Sequence, residues 1–120
     1  MNWTGLAGVL LLMHGMMHFA WRQSLVQVHH HTHPLLVDRL QMAWGHSAIR
    51  TASVVAGVCF VAAGIMALTA VSWWPLFAYW ALFLSLGGAV LTWPETPAAL
   101  PLNVVVGIGL TLGSIAGVWT

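Results

Sequence analysis

The chain has 120 residues, of which 60 % are hydrophobic and 4 % charged, with a formal net charge of +1. A soluble domain carries about 25 % charged residues; three arginines, one aspartate, one glutamate and no lysine cannot cover a water-exposed surface. Composition therefore excludes a soluble domain and a nucleic-acid binder, and implies an integral protein of the lipid bilayer.

The long runs are apolar on every face, which fits helices and not the alternating segments of a strand barrel. The expectation is one all-α domain, 1–120, a bundle of four transmembrane helices. The first is Trp3 to Trp21, about 28 Å at helical rise, with tryptophan at both ends. No basic segment precedes it, so no cleavable signal peptide is expected.

A loop, 22–47, follows. Pro34 and LLVDRLQMAW read as a short interfacial helix with Val37, Leu40 and Trp44 on one face. Gly45 is expected to end it, and Ser47 to cap the next helix. Arg22, Arg39 and Arg50 lie in or beside this loop. The positive-inside rule then makes it cytoplasmic, with a bacterial inner membrane as the expected location.

The second helix is expected over 48–70 and the third over 74–93, ended by Pro94 and Pro97. The fourth is expected over 101–119. Its Gly109, Gly113 and Gly117 form a small-residue row, expected to pack within the bundle rather than between protomers. Ser53 and Gly57, and Ala63 and Ala67, repeat that spacing on the second helix. Cys59, the single cysteine, reads as a buried, inert thiol. Trp3, Trp21, Trp73, Trp74, Trp93 and Trp119 read as interfacial belt residues, and Trp80 as core.

All seven histidines fall between positions 14 and 46. His14 and His18 share one helix face. They could chelate one copper or zinc ion, with Met13, Met16 and Met17 nearby as thioethers suited to Cu(I). One could instead ligate haem b, with a second ligand from another helix or protomer. Or each could simply hydrogen-bond a neighbouring helix. In the loop, His29, His31 and His33 point to one side if the segment VHHHTHP is extended, as a metal site or a solvated tract. Asp38, Met42 and His46 share a face, and Asp38 could ligate or orient a histidine. The expected metal set is therefore His14, His18, His29, His31, His33, His46 and Asp38. No phosphate loop, nucleophile elbow or carboxylate pair is present, so a binding role is expected before an enzymatic one.

The sequence His14-Gly15-Met16-Met17-His18 resembles the end of helix one in small bacterial four-helix membrane proteins of the DoxX-like group. That resemblance implies an accessory or redox-linked membrane subunit, and it does not extend to the loop histidines. The expected function is transition-metal binding at one end of the bundle. The alternative is a structural subunit of a larger respiratory or redox membrane complex, or a homo-oligomer.

Overall fold

A computed structural model describes residues 2–27, 39–41, 43–92 and 98–119. They form four helices: α1 (Trp3–Gln27), α2 (Gly45–Leu68), α3 (Trp74–Leu91) and α4 (Ala99–Ile115), with no strand among the described residues. Helices follow from the composition. Where a run this apolar is kept from water, a helix satisfies its backbone locally.

Three of them are long and apolar enough to cross a membrane, over Trp3–Ala20, Ser47–Leu68 and Trp74–Leu91. The fourth, Ala99–Ile115, is a shorter apolar helix of 17 residues, about 26 Å at helical rise.

Boundaries differ from expectation by three residues or more in three places. α1 runs past Trp21 to Gln27, which takes Arg22 into the helix. α2 begins at Gly45, so this glycine opens a helix rather than ending one, and no side chain caps the start. α4 stops at Ile115 instead of continuing to 119. Its end is a Schellman turn: Val118 N–H donates to Gly113 O at 2.9 Å and Gly117 N–H to Ser114 O at 3.2 Å, with Gly117 at φ 66°. The chain folds back, and Trp119 Nε1 donates to Leu110 O at 3.0 Å.

α2 ends on the same turn. Val71 N–H donates to Met66 O at 2.8 Å and Ala70 N–H to Ala67 O at 3.3 Å, but the left-handed residue here is Ala70, at φ 58°. A Cβ in that conformation costs roughly 1–2 kcal/mol. Ala70→Gly should therefore stabilise the protein by about 1 kcal/mol in a detergent-unfolding titration.

The expected interfacial helix falls mostly on residues outside those described. Leu40, Gln41, Ala43 and Trp44, which are described, lie in turns, and Gln41 has φ 51°. Leu40 and Trp44 are exposed.

Each helix packs on the next in chain order, in a bundle 47 Å long and about 22 Å across. The tightest seam is α1 on α2. There Gly8 faces Gly64 and Gly15 faces Gly57, so that a Cβ on Gly64 would lie 2.7 Å from Gly8 O and one on Gly15 2.9 Å from Gly57 O. The glycine row on α4 does not make such a seam. Gly109 faces open space, Gly113 lies under the Trp119 ring, and Gly117 serves the turn.

Packing also corrects the reading of the tryptophans. Among the described residues Trp74 is the largest fully buried side chain, at 1 % exposure, in edge contact with Trp119 at 5.3 Å. The two close the core at the end opposite the histidine loop. Trp3 and Trp73 are exposed, as belt residues would be. Trp80 is 58 % exposed against Phe83 and belongs to no core. Cys59 is partly buried against the core.

Candidate functional site

Each helix sends one or two polar side chains to a single place. His14 and His18 come from α1, Ser53 from α2, Ser85 from α3 and Asn103 from α4. These groups sit on elements that are otherwise hydrocarbon, in the half of the bundle nearer the 1–2 and 3–4 connections. Asn103 is 2 % exposed and His14 8 %. Polar groups at such a position are costly unless each finds a partner.

They find one another. Asn103 Nδ2 donates to Ala99 O, one turn back on α4, at 2.9 Å. That bond fixes the amide so that Oδ1 faces the imidazoles. Ser85 Oγ donates to Asn103 Oδ1 at 2.9 Å, which uses its only proton. The 3.1 Å contact between Ser85 Oγ and His18 Nε2 must then have the imidazole as donor. His14 Nε2 lies 3.3 Å from Asn103 Oδ1 and must donate as well, because a carbonyl oxygen only accepts. In a neutral His18 ring, Nδ1 is then the acceptor and receives the Ser53 hydroxyl at 3.4 Å. No buried side-chain nitrogen or oxygen among the described residues lacks a partner.

The result is convergence. Both Nε2 atoms point at the same Ser85–Asn103 pair, and the two rings lie 5.4 Å apart, nearly perpendicular. Phe60 holds them in place. It is fully buried, meets His14 edge-on at 4.6 Å and stacks on His18 at 5.6 Å. Behind the rings, the Gly15–Gly57 contact brings α1 close enough to α2 for this to happen.

Beside the network is a cavity of about 60 Å³, at the junction of all four helices. His14, Met17, His18, Ser53, Ser85 and Asn103 line it, and apolar residues such as Ile49, Leu84 and Leu102 complete the wall. No Asp, Glu, Lys or Arg is among the described lining residues. Its size admits a few waters or one ion. A cavity that binds benzene measures about 150 Å³.

The chain matches no protein-family model, no curated protein and no solved structure. The site's own geometry therefore carries the chemistry.

Of the residues expected to bind metal, the structure brings His14 and His18 together. His29, His31, His33 and Asp38 lie outside the described residues, as does the side chain of His46. Among the described residues no group of three or more His, Cys, Asp or Glu gathers. Met13 and Met16 do not surround the pair; they are 62 % and 60 % exposed. At about 100° per residue, position 16 falls on the side of α1 opposite His14, and position 13 is well off the histidine face. Met17, by contrast, lines the cavity. Ser85 and Asn103 were absent from the expected set. Their signal was present in the sequence: a lone amide in the fourth apolar run and a lone serine in the third.

Proposed function

We propose that the protein is a small integral membrane protein of four spanning helices that binds one transition-metal ion, copper or zinc, at the His14–His18 pair. The observation that supports this most is the convergence of both Nε2 atoms beside a cavity shared by all four helices. Imidazole is a ligand for either ion, and an i, i+4 pair presents two nitrogens from one rigid element. Ion binding takes up the Nε2 lone pairs, so each ring must carry its proton on Nδ1 instead. For His18 that proton already has an acceptor, since the Ser53 hydroxyl can turn to receive it. An orienting hydrogen bond of this kind is what metal-bound histidines require. The cavity, about 60 Å³, fits an ion more closely than the macrocycle of haem b. Transport, storage and insertion of the ion are all compatible with the site.

One observation favours a second reading, in which the imidazoles are contacts that hold the bundle of an accessory subunit in a larger complex. The network satisfies its own hydrogen bonds within the chain. Elemental analysis of purified protein separates the two. The expected result is one equivalent of copper or zinc per chain, lost in His14→Ala and in His18→Ala. Metal-free protein that co-purifies with other subunits would instead establish the scaffold.

A further inference from the structure

The geometry points to monovalent copper, Cu(I), as the ion of this site, with the Met17 thioether as its third ligand. This rests on the metal-binding reading above and narrows it.

Two observations independent of the histidine contacts carry the choice. First, among the described residues the cavity wall has no carboxylate and no cysteine. Every described group that lines it is neutral. The cost of holding a charge in such surroundings rises with the square of that charge, so a dication is penalised about four times as heavily as a monocation. Zinc sites offset the penalty with thiolates, carboxylates or additional imidazoles; among the described residues this wall offers only the two imidazoles. Second, Met17 lines the same cavity as His14 and His18. On the helix surface His14 neighbours both of the others, Met17 at i+3 and His18 at i+4. Two imidazoles and a thioether make a soft donor set, suited to Cu(I) and poor for zinc.

Binding needs no proton to leave the protein. Each Nε2 proton moves to Nδ1 through water, and the ring stays neutral. Ser85 keeps its bond to Asn103 and loses only the donation from His18; Asn103 Oδ1 loses His14 and keeps Ser85. Copper must arrive already reduced, so no electron transfer is involved.

The test uses the full chain in lipid nanodiscs, with His29, His30, His31 and His33 replaced by glutamine so that the loop cannot bind metal. Cu(I) is titrated anaerobically against a chromophoric Cu(I) chelator, and Zn(II) against a zinc indicator. The expected result is one Cu(I) per chain and weaker binding of Zn(II). Met17→Leu should weaken Cu(I) by about tenfold or more and leave Zn(II) unchanged. Leucine at this half-exposed position keeps the volume, so the variant retains the fold. The copper X-ray absorption spectrum should show one sulfur neighbour, absent from Met17→Leu. Zn(II) binding equal to or tighter than Cu(I), or an unaltered Cu(I) affinity in Met17→Leu, would overturn the copper assignment while leaving metal binding standing. Failure of both ions to bind would overturn the metal-binding reading itself.

Discussion

Asn103→Leu should destabilise the protein by about 2–4 kcal/mol, although leucine is the more comfortable residue in lipid. The amide oxygen accepts from Ser85 and from His14, at 2.9 and 3.3 Å. Removing it leaves two buried donors without a partner, each worth about 1–3 kcal/mol of lost solvation. Leucine gains no offsetting hydrophobic term between helices, because lipid tails are as apolar as the bundle interior. Individual hydrogen bonds between membrane helices average only about 0.6 kcal/mol, so the orphaned donors dominate the loss. Unfolding in mixed detergent micelles reads the effect. In the same assay, Ser85→Ala should cost less: one donor is lost with its own hydroxyl, and only His18 Nε2 is left to find a new acceptor. A change within 0.5 kcal/mol of zero for Asn103→Leu would mean that the amide is not the acceptor for both groups.

The second large effect lies at the α1–α2 seam. Gly64→Ala should cost about 2–3 kcal/mol or prevent folding, since the added methyl meets fixed backbone. Its Cβ would lie 2.7 Å from Gly8 O and 2.9 Å from Leu12 N, and neither can move without shifting all of α1. The control is Gly87→Ala on α3, where a Cβ meets nothing within 4 Å. There the change should stabilise by roughly 0.5–1 kcal/mol, because alanine is the better helix former. Opposite signs for the same chemical change, read in one unfolding series, isolate close approach from helix propensity. Similar effects at both positions would remove the seam as the basis for holding α1, and with it both imidazoles, against α2.

The sequence carries the helices and hides their partners. Runs apolar on all sides require helices wherever they fall, so α1 to α4 are readable to within a few residues. Their mutual orientation is another matter. A small-residue row has the same appearance whether it packs against a helix or faces lipid. Gly109, Gly113 and Gly117 make the more regular pattern, yet the close contacts belong to Gly8, Gly15, Gly57 and Gly64. Gly8 and Gly15 are seven apart, as are Gly57 and Gly64, and only antiparallel pairing of α1 with α2 brings both pairs together.

The candidate site divides in the same way. His14 and His18 could be picked out because imidazole is rare in such surroundings, and i, i+4 spacing put them on one face. Ser85 and Asn103 are 18 residues apart and on different helices. Their meeting with the imidazoles depends on the α3–α4 pairing, which no local pattern encodes. The methionines show the opposite error. Three of them cluster in sequence, but helix geometry turns Met13 and Met16 away and leaves Met17 at the cavity.

The most direct measurement is the imidazole nitrogen NMR spectrum of His14 and His18 in lipid, recorded without and with equimolar Cu(I). Without the ion, both rings should carry their proton on Nε2, as donors to Asn103 and Ser85. With it, both Nε2 signals should lose that proton and it should reappear on Nδ1. Rings whose Nε2 keeps its proton and whose spectra do not change when copper is added would contradict a metal site at this pair.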